Sequence, residues 1–352
     1  MDLIIFFVAL SVLVFFHELG HFLMARRTGV RVDEFGIGMP PKLFGKKVGE
    51  TIYSVNALPI GGFCKLYGED SIEVKKNKNR SFAYKKPWQK SLILVGGVTM
   101  NLILAILIFT GVYYATGIPR ELGKVRVEEV VKGSPADLSN LKQGDLVLEV
   151  GGEKVKTSEE LVEKAAMYKG EEVELLVEKQ DGNKEKVMVA VRENPSEGEG
   201  SMGVVINSIE MVKFPIWQAY KGVRQGFSEA YFWGRVILDG LGKMIAGVFS
   251  GQVPKDVAGP VGMYQATASV RKESGLLGVM HFFGVISVNL AVVNLLPFPA
   301  LDGGRLVFVL VEKISGKKIN EKFEATANAV GMSILLGLLL LVTVGDVVRL
   351  LK

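Results

Sequence analysis

The segment His17-Glu18-Leu19-Gly20-His21 contains three side chains whose types and spacing could do chemistry. On an α-helix, residues four positions apart lie on the same face, so both imidazoles can bind one metal ion while Glu18 stands beside it. Zinc favours such nitrogen ligands, and a catalytic zinc site keeps one position for water. A nearby carboxylate can take the proton of that water as it attacks a carbonyl group. The motif therefore predicts a zinc site with His17 and His21 as ligands and Glu18 as catalytic base.

This motif lies inside an apolar run, from Leu3 to Ala25, in a chain whose mean hydropathy is +0.30. Ionisable residues inside an apolar span are costly and usually functional, which argues against a chance match. Three more stretches carry no charged residue, and they are 91–119, 274–301 and 325–345. Each can cross a hydrocarbon core of about 30 Å, which needs roughly 20 helical residues. The sequence therefore predicts four membrane spans, and the Met-Asp start does not fit a cleaved signal peptide.

Charge asymmetry predicts the orientation of these spans. Residues 26–90, which join the first two spans, contain 14 Lys and Arg against 6 Asp and Glu. The positive-inside rule places that segment in the cytoplasm, with both chain termini and residues 120–273 outside. The whole chain has a net charge of +5, and its positive excess lies in this cytoplasmic segment, so we expect no nucleic-acid partner.

A third protein ligand is needed, and the candidates are His281 and Asp302. The first and third spans both run from outside to inside, so His17 and His21 lie near the cytoplasmic end. Asp302 lies at that end of the third span, whereas His281 precedes it by 21 residues and sits about 30 Å away along a helix. Position across the membrane therefore favours Asp302 over His281 as the third metal ligand.

The sequence around Asp302 predicts an irregular backbone. Pro297 and Pro299 break the helix, and the freed backbone groups are tolerated only in a protein interior or a wet cavity. Asn289 and Asn294 lie in the same apolar span, where their amides could hydrogen-bond an extended substrate or hold helices together. Both alternatives remain open from the residues alone.

Together these motifs resemble the site-2 protease family of intramembrane zinc metalloproteases, specifically the bacterial PDZ-containing type that cleaves anti-sigma factors. Gly97 and Asn101 match its G-x-x-x-N motif, and residues 294–303 match N-x-x-P-x-P-x-L-D-G. The resemblance implies that Asp302 is the third zinc ligand and that the substrate is a transmembrane helix. We assign substrate binding to Asn101, Asn289 and Asn294.

The resemblance also implies a membrane-associated β-hairpin on the cytoplasmic side, at residues 53–69. Short alternating runs and Gly61-Gly62 independently indicate strands there. A helical substrate must unwind before its carbonyl groups become accessible, so an edge strand of this hairpin could bind the unwound segment by β-addition.

Residues 122–210 resemble a PDZ domain with the permuted bacterial strand order. The similarity lies in Gly133-Ser134-Pro135-Ala136, the Gly144-Asp145 pair and Gly151-Gly152-Glu153. The candidate peptide-binding loop is 200–204, which departs from the usual G-L-G-F kind. The domain is expected either to contact peptides or to exclude substrates with bulky outer domains.

The fold class predicted is an α-helical polytopic membrane protein with four transmembrane helices, a cytoplasmic-side membrane-associated β-hairpin and an inserted α+β PDZ domain. Charged residues at regular intervals among aromatic ones favour amphipathic interfacial helices for 213–273. A further membrane span within 213–250 is the alternative, and it would have to accommodate those charges. The predicted segments are 1–27 (first span), 28–90 (cytoplasmic side), 91–119 (second span), 120–212 (PDZ), 213–273 (interfacial), 274–304 (third span), 305–324 (cytoplasmic loop) and 325–352 (fourth span).

The predicted function is zinc-dependent cleavage of transmembrane segments of single-span proteins, such as anti-sigma factors or remnant signal peptides. The expected location is the inner, cytoplasmic membrane, with the lipid bilayer and the substrates as partners. The alternatives are a PDZ-bearing membrane adaptor and a metal transporter. The intact set of His17, Glu18, His21 and Asp302 argues against the adaptor, and Glu18 in the general-base position argues against the transporter.

Overall fold

The computed structural model describes residues 2–69, 77–195, 200–249 and 258–350. Parts of the predicted cytoplasmic segment (70–76), of the inserted domain (196–199) and of the interfacial region (250–257) lie outside the described residues, as do both chain ends. The α-helices are α1 (Asp2–Arg27), α2 (Pro87–Thr116), α3 (Pro135–Leu138), α4 (Ser158–Ala165), α5 (Ala219–Phe249), α6 (Pro260–Asn294), α7 (Asp302–Ser315) and α8 (Glu321–Leu350). The strands are β1 (Val32–Val48), β2 (Thr51–Leu66), β3 (Ile118–Val130), β4 (Leu146–Val150), β5 (Glu153–Lys154), β6 (Glu172–Glu178), β7 (Lys184–Ala190) and β8 (Val204–Val212).

Four of these helices, α1, α2, α6 and α8, are long and apolar enough to cross a membrane. They coincide with the four apolar stretches of the sequence. Helix α6 is broken at Gly275, whose φ of 64° and ψ of −157° are not helical, and its second part corresponds to the third stretch. That part ends at Asn294, and an irregular segment separates it from α7, as the two prolines predict. Apolar side chains of α1, α2 and α6 form a shared core, which includes Phe6, Leu13, Leu104, Val279, Phe283 and Ile286.

Helices α1 and α2 cross with their backbones in contact. A methyl group at Gly20 would overlap the carbonyl oxygen of Gly96, and one at Gly96 would lie 2.7 Å from the carbonyl oxygen of Gly20. Small residues at helix crossings allow such close approach in membranes, where packing rather than water drives association. This crossing is one residue from His21 and therefore fixes where the metal motif lies against α2.

The segment between α1 and α2 forms a small sheet rather than a simple hairpin. Residues 32–37 of β1 lie in its middle, because Glu34 to Ile37 each pair with one residue in 62–66 and with another in 51–56. Residues 42–48 then pair with 51–56 on the far side. We call 62–66 the proximal edge and 42–48 the distal edge of this sheet.

Glu229 of helix α5 forms polar contacts with both α2 and α6. Glu229 Oε2 accepts a hydrogen bond of 2.8 Å from the Tyr113 hydroxyl, and Oε1 accepts one of 3.0 Å from Trp233. His281 Nε2 lies 3.1 Å from the same Oε1. His281 therefore belongs to a polar cluster between helices, apart from the His17 motif.

The inserted domain is a separate compact unit spanning Tyr114–Ile216. Its sheet has the order β7-β6-β4-β3-β8, with β5 paired to β4, and β8 lies at an edge. Ser134 caps α3 by accepting the Asp137 N–H, and its hydroxyl also donates to the Gly203 carbonyl at 3.3 Å. The predicted binding loop 200–204 therefore packs on the Gly-Ser-Pro-Ala turn.

The strands by which the chain enters and leaves this domain are paired with each other. Ile118 is the ladder partner of Val212, and Glu121 is the partner of Ile209. The ladder then continues with Arg126 opposite Asn207, after a shift of register. Both connections are thus neighbouring strands of the domain's own sheet.

We expect Gly20→Ala to destabilise the protein, because the added methyl has no room against the Gly96 carbonyl. Overpacking of this kind costs about 1–3 kcal/mol. The measurement is the thermal unfolding midpoint in detergent. Gly111→Ala is the control, since nothing lies within 4 Å of a methyl placed there. Equal midpoints for the two variants would contradict the close crossing.

Candidate metal centre

Three side-chain atoms converge between α1 and the first residue of α7. His17 Nε2 lies 3.2 Å from His21 Nε2 and 3.2 Å from Asp302 Oδ2, and His21 Nε2 lies 3.3 Å from that same oxygen. Both histidines are only 9% exposed. Among the described residues this is the one group of three or more potential metal ligands. The structure thus brings together the three residues that the sequence selects and leaves His281 elsewhere.

The triangle has the dimensions of a tetrahedral zinc site. With bonds of about 2.0–2.1 Å from zinc, the ligand atoms of a tetrahedron lie about 3.3 Å apart. Asp302 Oδ2 is buried and accepts no hydrogen bond from the described residues. A buried carboxylate oxygen is costly unless a cation or donor compensates it. The three residues therefore fit zinc and would leave a fourth position for water.

A backbone carbonyl fixes the tautomer of His21. Its Nδ1 lies 3.0 Å from the carbonyl oxygen of Ile93 in α2. A carbonyl only accepts, so Nδ1 carries the proton and donates it, and the lone pair of Nε2 faces the centre. The ring is therefore prepared to bind a metal ion through Nε2.

Asn101 plays the corresponding part for His17. Its side-chain amide, which is fully buried, lies 3.3 Å from His17 Nδ1, with the nitrogen facing the ring and the oxygen lacking a partner. The two amide atoms are distinguished only by their hydrogen bonds. With the amide rotated, Oδ1 accepts the proton of Nδ1, and the lone pair of His17 Nε2 faces the centre. Asn101 thus lies against a candidate metal ligand rather than in an open cleft.

Glycine in α2 makes room for both imidazoles. A methyl group at Gly97 would lie 2.5 Å from His21 Nε2 and 2.7 Å from His17 Cε1. This glycine precedes Asn101 by one helical turn, so the two residues contact the rings from the same face of α2. The G-x-x-x-N spacing therefore combines space for the ligands with an amide that orients one of them.

The candidate base, Glu18, lies beside the proximal edge of the sheet. A methyl group at Gly62 would lie 3.8 Å from Glu18 Cγ. The strand 62–66 therefore borders the centre on the side where Glu18 projects from α1. A peptide added to this edge would lie close to the three converging atoms.

Asp302 is held by the packing of the two glycines that follow it. Methyl groups at Gly303 and Gly304 would collide with carbonyl oxygens of Leu296 and Phe298. The start of α7 therefore lies directly against the irregular segment. One turn later, Arg305 forms an ion pair with Glu69, at the end of the sheet.

Several residues at the centre were not singled out from the sequence. A cavity of about 200 Å³ adjoins Asp302 and is lined by Ala300, Leu301, Asp302, Arg305, Asn328 and Met332. Asn328 is an amide inside the fourth apolar stretch, and the reasoning that drew attention to Asn289 would have applied to it. The Ile93 carbonyl and the Glu69–Arg305 pair left no comparable signal, because they depend on tertiary contacts.

The two remaining predicted substrate residues lie on α6. Asn289 is exposed and Asn294 is half-buried, and neither side-chain amide forms a hydrogen bond with a described residue. Their amides are therefore free to bind another chain. Ser287 of the same helix donates a hydrogen bond of 2.8 Å to the Asn101 carbonyl and ties α6 to α2.

Comparison with known proteins gives consistent matches along the chain. The model of peptidase family M50 matches residues 5–338. A relative from Clostridium perfringens, named provisionally as a zinc metalloprotease, is 36% identical over 99% of this chain and 99% of its own. Zinc metalloprotease RasP of Geobacillus kaustophilus is 30% identical over 98% of this chain and 97% of its own. A solved PDZ domain of an SdrC-like protein from Listeria innocua is 24% identical, covers 24% of this chain and 92% of that chain, and has a TM-score of 0.21.

We expect Asn101→Ala to weaken zinc binding by about 10–100-fold, the usual effect of removing a partner that orients a metal-bound histidine. The measurement is zinc affinity by chelator competition on the purified protein. Thr99→Ala in the same helix is the control, because its hydroxyl is exposed and bonds only to the Val95 carbonyl. Unchanged affinity in Asn101→Ala would rule out the orienting role.

Proposed function

We propose that this chain, which belongs to peptidase family M50 and is a site-2-type zinc metalloprotease, cleaves transmembrane segments of single-span membrane proteins. Its family and its four long apolar helices indicate a multi-pass membrane protein. The main support is the convergence of His17, His21 and Asp302, at one end of apolar helices and beside an edge strand. A protease built this way meets its substrate within or near the bilayer. The candidate substrates are anti-sigma factors and remnant signal peptides.

His17, His21 and Asp302 would hold the zinc. When bound, zinc supplies Lewis acidity, which makes water a stronger acid and polarises the scissile carbonyl group. The protein's own contribution is to present two oriented imidazoles and one carboxylate at fixed spacing. Asn101 and the Ile93 carbonyl keep the two rings in the required tautomer.

Glu18 is the proton-transfer residue in this proposal. Its carboxylate accepts one proton from the attacking water while the water oxygen bonds to the scissile carbonyl carbon. The same carboxyl group then gives that proton to the leaving nitrogen as the peptide bond breaks. One water is consumed, and a carboxyl terminus and an amino terminus are formed.

The substrate strand is captured at the proximal edge. An unwound segment that added to 62–66 would gain backbone hydrogen bonds in place of those lost from its helix. It would run past Glu18, which lies beside Gly62. Asn289 and Asn294 would bind further backbone groups of the same segment from α6.

The topology proposed has both chain termini and the inserted domain outside, and the sheet between α1 and α2 on the cytoplasmic side. It follows from the excess of Lys and Arg in 26–90. In the PDZ interpretation of the inserted domain, β8 offers the peptide-binding edge and α4 borders it through Ser158 and Ser208. The domain then either binds peptides or excludes substrates that retain a large outer domain.

We expect Glu18→Gln to lower the cleavage rate by about 10²–10⁴-fold while zinc stays bound, because the amide keeps the shape but cannot accept the proton. His21→Ala, in contrast, should lose zinc as well as activity. Cleavage of a reconstituted single-span substrate and zinc content are measured together. If the protein were an adaptor, Glu18→Gln would still bind its partners, and neither this variant nor the wild type would cleave them. A wild-type protein that binds no zinc would contradict the proposal.

We expect Lys65→Pro to lower cleavage of a helical substrate at least about tenfold, because proline removes a backbone donor and disturbs the proximal edge. Lys47→Pro on the distal edge is the matched control. Val55 is a poorer test position, since it pairs with both Ile37 and Phe44 inside the sheet. Cleavage of an unwound peptide is measured in parallel. If Lys65→Pro cuts both substrates at the wild-type rate, β-addition at this edge is wrong.

A further inference from the structure

Helix α8 contributes no metal ligand, yet two of its residues contact the segment that carries Asp302. Asn328 Oδ1 accepts a hydrogen bond of 3.1 Å from the backbone N–H of Ala300. Gly331, one turn further along, packs on the preceding residue, and a methyl there would lie 2.5 Å from the Pro299 carbonyl oxygen. Residues three apart on a helix share a face, so both contacts belong to one surface of α8.

Ala300 has a backbone conformation that it would not adopt without support. Its φ is +73°, in the left-handed region that residues other than glycine seldom occupy. Such a conformation persists only where surrounding contacts determine it. The hydrogen bond from the Ala300 N–H to Asn328 is the polar contact that links this residue to another helix.

The path from Ala300 to the metal centre is short. Two residues later, Asp302 begins α7, and Leu301 precedes that helix without a side-chain cap. Gly303 and Gly304 lie against the carbonyl groups of residues 296 and 298, so the first turn of α7 cannot move unless the segment moves with it. The direction of the Asp302 carboxylate is therefore set by the conformation of 295–301.

From this arrangement we propose that Asn328 is a positioning residue for Asp302, which acts by holding Ala300 in its left-handed conformation. The proposal rests on the proposed function, because it assumes that Asp302 is a zinc ligand. In this proposal α8 helps to set the geometry of the metal site, although it is the least buried of the four apolar helices.

A purely structural role for Asn328 is the alternative, since amides in membrane helices often serve only to join helices. The two roles differ in what they change. A structural role would lower the amount of folded protein and leave the zinc affinity of the folded fraction unchanged. A positioning role would change that affinity and the geometry of the ligands.

The test compares full-length variants purified in detergent, using only the folded fraction from size exclusion. Zinc affinity is measured by chelator competition, and ligand geometry by the visible spectrum of the Co²⁺-substituted protein. Asn328→Ala should bind zinc at least about tenfold more weakly and show an altered Co²⁺ spectrum. Gly331→Ala, which pushes on Pro299 from the same surface, should act in the same direction.

Two controls lie in the same helix. Ser333→Ala removes an exposed hydroxyl that bonds to the Ala329 carbonyl, and Gly337→Ala adds a methyl where nothing lies within 4 Å. Both should match the wild type in affinity and spectrum. If either weakens zinc binding as much as Asn328→Ala does, the proposal is overturned.

A second substitution probes the mechanism directly. Glycine adopts positive φ freely, so Ala300→Gly should reduce the dependence on Asn328. The loss of affinity caused by Asn328→Ala should therefore be several-fold smaller in the Ala300→Gly background.

Wild-type affinity in both Asn328→Ala and Gly331→Ala would overturn the proposal while the metalloprotease function stands. A wild type that binds no zinc would instead remove the proposed function itself.

Discussion

The structure depends on bringing three potential zinc-ligand atoms from two distant parts of the chain within about 3.3 Å of one another inside an apolar helix bundle. Two come from one helix, where the spacing of four residues makes their convergence automatic. The third comes from Asp302, and its position depends on tertiary structure. Each unusual feature nearby serves this requirement. The glycine crossing of α1 and α2 brings the backbones together, Gly97 leaves space for the rings, and the irregular segment before α7 turns the carboxylate inward.

Polar groups in such surroundings are costly unless they are paired, and the neighbourhood of the centre meets this condition with few residues. The Nδ1 atom of each histidine faces a polar group of α2, which is the Ile93 carbonyl for His21 and the side-chain amide of Asn101 for His17. The N–H of Ala300 is paired by α8. Helix α2 therefore orients the histidines, and α8 supports the segment that precedes the aspartate. Orientation of this kind is what lets a metal site retain its geometry while a substrate approaches.

The sequence predicted the features that follow from local pattern. Four apolar stretches gave four helices, and the two prolines gave the break before Asp302, because both effects act within a few residues of their cause. Depth along the helices was enough to prefer Asp302 over His281, and the structure places His281 beside Glu229. What the sequence did not reveal were pairings across long separations. The sheet of 32–66 has its first segment in the middle, and no periodicity distinguishes a central segment from an edge. Asn328 and Ala300 are likewise ordinary residues until the fold brings them together.

The pairing of β3 with β8 has a consequence for how this chain can change over time. Because Ile118 and Val212 are ladder partners, the chain leaves the inserted domain next to the point where it entered. Partner residues in an antiparallel ladder are only about 5 Å apart. A short turn could close that gap, so this domain is an insertion whose two ends are adjacent in space. An inserted domain with adjacent ends can be exchanged, duplicated or lost by recombination without any change to the residues that form the candidate metal centre. The inserted domain can therefore vary in sequence and structure while the residues of the candidate metal centre stay constant.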